Sequence, residues 1–174
     1  MKLLTYSLAA GLLSASIASA EYLKPLMNPA ELSNSLDQAN PIILDIRGDA
    51  YSDGHIPGAI SAPYGLFRGP KNNPGQLLDE DVLEERFEAL GLELDRPVVV
   101  VSEGKTDTDF GAAARVYWTL KSTGFQDLSI LNGGRIAWRD AKLPLNNNPE
   151  TAEPSQLELE FDTTWSADTQ QVAS

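Results

Sequence analysis

Val98-Val99-Val100-Val101-Ser102-Glu103-Gly104-Lys105-Thr106-Asp107-Thr108-Asp109 reads as a strand that runs straight into a polar loop. The four valines are β-branched, and an unbroken apolar run of this length suits a strand buried on both faces. The loop is expected to span Ser102 to Asp109. A helix follows from about Phe110 to Thr123, stopped by Gly124. In an open parallel sheet, ligands sit beyond the carboxyl ends of the strands. Any chemistry is therefore expected just after Val101, where loop amides and a helix start favour an anion.

Working outward, the same alternation recurs. Asn28-Pro29-Ala30-Glu31 opens a helix, with an Asn cap, Pro in the first turn and Glu three residues after the cap. Leu32, Leu36 and Ala39 continue one face of it. Pro41-Ile42-Ile43-Leu44-Asp45-Ile46 predicts a second buried strand, and residues 47 to 76, rich in Gly and Pro, predict mostly loop. Asp79 to Leu90 predicts an acidic amphipathic helix with a solvated face, closed by Gly91. Beyond the central helix, Leu128-Ser129-Ile130-Leu131 predicts a third strand, and Gly133-Gly134 turns into a short helix carrying Trp138. Strand, helix, strand, helix at this spacing gives an α/β class with a central parallel sheet flanked by helices, a three-layer domain.

The two ends differ in character from the middle. Met1-Lys2, an apolar run to Ile17 and the small residues Ala18-Ser19-Ala20 form the pattern of a signal peptide over residues 1–20, cleaved after Ala20. A periplasmic or secreted location is the expectation, with no membrane association after cleavage. The domain is expected over 21–145, and 146–174 is expected to be a polar linker and tail. The chain contains no cysteine, so no disulfide staples the core and no lipid is carried on one. The formal net charge is −12, one unit more negative once Lys2 is removed, which disfavours nucleic acid and anionic lipid as partners. No metal site is expected from one histidine and no cysteine, and Asp107-x-Asp109-x-Gly111 lacks the Gly and Glu of a calcium loop. No phosphate loop is complete, so no cofactor is implied.

Three segments together resemble the rhodanese (thiosulfate and 3-mercaptopyruvate sulfurtransferase) family. The first is Leu44-Asp45-Ile46-Arg47, then Tyr51, then Gly54-His55-Ile56-Pro57-Gly58-Ala59-Ile60. The second is Val98 to Ser102, the loop, and Ala112-Ala113-Ala114-Arg115 with Trp118. The third is Leu131-Asn132-Gly133-Gly134, Ala137-Trp138 and Leu143-Pro144. The resemblance covers roughly residues 28 to 145. It implies a reaction in which a cysteine thiolate at the strand end accepts a sulfane sulfur and passes it on from a cradle of loop amides. Ser102 stands where that cysteine would be. A hydroxyl cannot form a persulfide and is a weak nucleophile without a base, so no residue here is assigned as catalytic. A Ser102–His55–Asp45 triad is not expected, because there is no Gly-x-Ser-x-Gly elbow and His55 falls in the structural turn of the first signature.

Candidate ligand-binding residues are Ser102, Glu103, Gly104, Lys105, Thr106 and Arg115. Asp45, Arg47, His55, Gly58, Gly133, Gly134 and Trp138 are expected to be structural, with Asp45 and Arg47 tying down the following loop and His55 fixing the Ile-Pro-Gly turn. Asp107 and Asp109 are expected to cap the helix, and Trp118 to sit in the core. The resemblance is strongest to the non-catalytic N-terminal domain of tandem sulfurtransferases. Phe161, Trp165 and Ala167 to Val172 resemble the approach to a second such domain. Two functions follow as expectations: a non-catalytic domain supporting a sulfurtransferase, or a stand-alone exported pseudoenzyme binding a small anion or a partner protein; the expected partners are a second rhodanese domain or a small sulfur-containing anion.

Overall fold

The computed structural model describes residues 23–167 and 169–173. Residues 1–22, which include the expected signal peptide, and Asp168 and Ser174 lie outside the described residues. Among the described residues, five strands form one all-parallel sheet: β1 (Leu26–Met27), β2 (Ile42–Asp45), β3 (Ile60–Ser61), β4 (Val98–Val101) and β5 (Leu128–Leu131), in the order β1-β5-β4-β2-β3. The valine strand is thus central, with Leu44 opposite Val100 on one side and Val100 opposite Ile130 on the other.

Alternation along the strands distributes the core. Ile42, Leu44, Val98, Val100, Leu128 and Ile130 face one layer, which holds α2 (Glu80–Ala89) and α3 (Asp107–Ser122). Ile43, Val99, Val101 and Leu131 face the other, which holds α1 (Pro29–Leu36) and α4 (Gly134–Asp140). Helix α2 buries Leu83 and Phe87, one turn apart. Phe87 meets Phe67 and Phe125 at ring separations of 6.0 and 5.8 Å. On the opposite face Trp138 is fully buried and donates from Nε1 to the Pro144 carbonyl at 2.7 Å.

Helix starts follow the expected chemistry, with one displacement. Asn28 accepts from Glu31 N–H and Glu31 accepts from Asn28 N–H, a complete capping box at α1. Helix α3 begins at Asp107, three residues earlier than expected, because Thr106 is its cap and Asp109 closes the box. The loop after Val101 is correspondingly shorter. Strands β1 and β3, two residues each, were not anticipated.

The segment assigned as linker and tail lies against the domain. Ser155 N–H donates to the Glu88 carbonyl, Leu157 N–H to the Glu88 carboxylate, and Leu159 enters the core at 3% exposure. Farther on, Asp162 N–H donates to the Ser122 carbonyl, and the Trp165 carbonyl accepts from Trp118 Nε1 at 2.7 Å. Residues 155–165 are thus a strap over α2 and α3. Two expectations change with it. The acidic face of α2 is partly the seat of the strap rather than wholly solvated. Trp118 is half-buried beneath the strap rather than in the core. No helix among the described residues is long and apolar enough to cross a membrane.

Candidate functional site

The carboxyl ends of β2 and β4 open onto a cavity of about 590 Å³. Ser102 lies on its wall directly after β4, only 4% exposed. The walls also carry Arg47, Asp53, Tyr64, Arg68, Glu103, Thr108, Asp109 and Arg135. The place is the one that sheet topology dictates for a ligand site.

A chain of ion pairs crosses the cavity wall. Asp45, fully withdrawn from water at the end of β2, receives Arg47 Nε at 2.9 and 3.0 Å and Arg47 Nη2 at 2.7 Å. Arg47 Nη2 also donates to the Gly54 carbonyl, which ties down the loop after β2 as expected. Its Nη1 reaches across to Glu103 Oε2 at 3.1 Å. On the other side, Arg135 grips Glu103 with a two-pronged contact: Nη2 to Oε1 at 2.7 Å and Nε to Oε2 at 3.1 Å. The hydrogen bond from Arg135 holds the Glu103 carboxyl below the usual carboxylate range, and Glu103 in turn raises Arg135 above the ordinary arginine value.

Two close-packed glycines set this up. Gly104 and Gly134 both have positive φ, and their backbones touch: a Cβ on Gly104 would overlap the Gly133 carbonyl, and one on Gly134 would overlap the Ser102 carbonyl. At this close approach, Arg135 N–H donates to the Ser102 carbonyl at 2.9 Å and Ile136 N–H to the Glu103 carbonyl at 3.1 Å. The backbone bonds lock the start of α4 to the loop after β4. They bring residues 103 and 135 face to face.

Of the candidate ligand residues, Ser102 and Glu103 line the cavity. Gly104, Lys105, Thr106 and Arg115 do not. Lys105 N–H and Thr106 N–H both point at Asp109 Oδ2, at 2.8 and 3.0 Å, so the capping carboxylate takes the amides that an anion would have used. Arg115 serves another loop: its Nη1 and Nη2 donate to the Gly75 and Gln76 carbonyls, with the guanidinium 4.6 Å over the Trp118 ring. His55 is fully buried, stacked on Tyr51 at 3.8 Å, with Nδ1 3.1 Å from the Tyr51 carbonyl. Its side chain thus holds Tyr51 rather than the Ile-Pro-Gly turn, while its backbone pairs with Asn146. With His55 engaged there and Asp45 spent on Arg47, no hydrolase triad forms among the described residues. Gly58 sits in the turn closed by Ala59 N–H on the Ile56 carbonyl, and Gly133 is the left-handed cap of α4.

Sequence reasoning missed Arg135, Arg68, Tyr64, Asp53 and Thr108. Arg135 stands directly after Gly133-Gly134, a pair read only for its turn. Nothing in its spacing announces a partner 32 residues earlier.

Comparison with known proteins settles the family. The model for the rhodanese-like domain matches residues 28–141. The chain belongs to the rhodanese-like domain family. A thiosulfate sulfurtransferase of Pseudomonas aeruginosa is 33% identical to this rhodanese-like chain over 115 residues, 65% of the chain and 41% of that protein. A relative from Synechococcus elongatus, also named for thiosulfate sulfurtransfer, is 32% identical over 135 residues, 76% of the chain and 40% of that protein. The rhodanese-like chain thus spans about two fifths of the length of these relatives. The crystal structure of the 3-mercaptopyruvate sulfurtransferase SseA from Escherichia coli superimposes with a TM-score of 0.71 at 20% identity, over 87% of this chain and 61% of that one. That likeness confirms the rhodanese fold. Within it, this domain carries no cysteine.

Proposed function

We propose that the chain is a non-catalytic rhodanese-like domain of an exported sulfurtransferase, packing beside a cysteine-bearing rhodanese domain and shaping its cleft. The observation that carries this reading is Ser102 at the carboxyl end of β4, in the place where the resemblance puts the sulfur-carrying cysteine, with the ring of the single histidine, His55, turned to the Tyr51 carbonyl. The relatives' greater length supports a second domain, and so does Phe110, exposed on the first turn of α3 between two residues that line the cavity. The amino-terminal pattern of residues 1–20 supports export.

A second reading, a stand-alone exported pseudoenzyme that binds a partner protein, draws on the strap. Leu159 and the Trp118–Trp165 contact complete this domain's own surface.

Two measurements separate the readings. The purified chain is expected to give no thiocyanate from thiosulfate and cyanide, and turnover would sink both. The mass of the native protein from its source cells then decides between them. A mass near that of residues 21–174, with no cysteine-bearing rhodanese partner co-purifying, favours the stand-alone reading. A larger chain, or such a partner, favours the supporting domain.

A further inference from the structure

The cavity wall places two nearly buried guanidinium groups on one carboxylate. The Arg47 side chain is 3% exposed and that of Arg135 is 13% exposed, and both donate to Glu103 Oε2 at 3.1 Å. Two like charges held this close, away from water, require an anion between them. Asp45 hydrogen-bonds to Arg47 and not to Arg135. Among the described residues, Glu103 is the carboxylate hydrogen-bonded to both. The loop amides of Lys105 and Thr106 are likewise taken, by Asp109. The Arg47 and Arg135 guanidiniums on this wall, and the amides of the adjoining loop, are therefore satisfied by carboxylates of the chain itself, while Arg68, also on the wall, donates to the Tyr64 hydroxyl.

We infer that Glu103 is the resident anion of this pocket: it fills from within the chain the position between Arg47 and Arg135, and so closes the pocket to small sulfur oxyanions such as thiosulfate. The inference does not rest on the presence of a second domain. It assigns Glu103 as a specificity determinant and the Arg47–Arg135 pair as a latent oxyanion site. Removing the charge at residue 103 leaves Arg135 without a hydrogen-bonded carboxylate, with Asp45 and Asp53 acting on it only through space, and Arg47 with Asp45 alone. A dianion entering from the cavity then takes the vacated contacts.

The test uses the full chain and its variants Glu103→Gln and Glu103→Ala, titrated calorimetrically with thiosulfate and, separately, sulfate at low ionic strength. Both variants are expected to bind thiosulfate at least ~10-fold more tightly than the unmodified chain, as loss of a charge-assisted pair predicts. Sulfate should follow thiosulfate, because the guanidinium pair reads oxyanion charge. The double variant E103A/R135A should lose the gain. Equal affinity in the unmodified chain and in a folded variant would overturn the inference. A parallel measurement needs no variant: the arginine Nε–H resonances of the unmodified chain, followed by NMR through a thiosulfate titration. Unmoved Arg47 and Arg135 signals are expected, and saturable shifts would overturn the inference. Neither result bears on sulfur-transfer turnover or native mass, so this inference and the supporting-domain reading fail separately.

Discussion

Glu103 and Arg135, 32 residues apart in the chain, meet in a two-pronged contact of 2.7 and 3.1 Å, and Arg47 closes on the same carboxylate from just beyond β2. This side chain adds a second tie across the carboxyl ends of β2 and β4, beyond the Ile46 N–H to Val101 carbonyl bond at 2.9 Å.

Breaking that join should cost stability. Arg135→Ala removes both prongs and is expected to destabilise the domain by about 1–3 kcal/mol, the range for charge-assisted hydrogen bonds that are partly buried. Arg135→Lys should recover only part of the loss, since an ammonium cannot fork onto a carboxylate. Urea unfolding of the three chains checks this. Full recovery by lysine would show that charge alone, and not the fork, matters.

The pH dependence has a definite sign. The Glu103 carboxyl is lowered first by the Arg135 hydrogen bond, so its contribution is present above the ordinary glutamate pKa, about 4.3. It disappears as pH falls through the lower folded-state value. The stability difference between the unmodified chain and Glu103→Gln should therefore hold constant from neutral pH to about pH 5 and shrink toward zero in stronger acid. Denaturation midpoints measured across that range would reveal it. A difference that grows on acidification contradicts the assignment.

Gly104→Ala tests the close approach that positions the pair. The substitution forces a side chain into a positive-φ residue and against the Gly133 carbonyl, with an expected loss of more than about 2 kcal/mol. Gly58→Ala, where a Cβ meets nothing within 4 Å, should cost only the backbone strain, about 1–2 kcal/mol. Thermal unfolding of the two variants side by side is the check, with Gly104→Ala the lower.

The strap is expected to be part of the folded unit. Leu159→Ala should lose about 2–5 kcal/mol, the usual result of emptying a fully buried leucine site. Amide exchange provides a second view. Leu157 and Asp162, bonded to Glu88 and Ser122, should be protected, and exchange at the rate of free peptide would show that the strap is not seated.

Much of the fold was legible because its strongest signals are local. The runs 42–45, 98–101 and 128–131 are long enough and apolar enough to declare buried strands, and Asn28 and Gly91 mark helix ends by chemistry that acts within a turn. Strands β1 and β3 were not legible. Each is two residues long and exists because a parallel neighbour offers it hydrogen bonds. The start of α3 was misplaced because Asp107 and Asp109 both suit a cap, and only the structure shows that Thr106 takes the cap position. The site was half legible. Ser102 and Glu103 follow from the topology, whereas Arg135 and Arg68 reach the cavity through tertiary packing that no spacing encodes. Arg115 looked like an anion ligand for the same reason in reverse: its partners, the carbonyls of Gly75 and Gln76, lie about forty residues away.

The strap also decides how the domain bears mechanical load. A pull on the chain beyond Trp165 acts first on the Trp118–Trp165 and Ser122–Asp162 bonds, one after another, as a zipper opens. Leu159, buried in the core, leaves its socket only after those bonds have opened. The strap is thus the first part of the fold to open from that end, and its seat on α2 and α3 lies apart from the residues that line the cavity at the ends of β2 and β4.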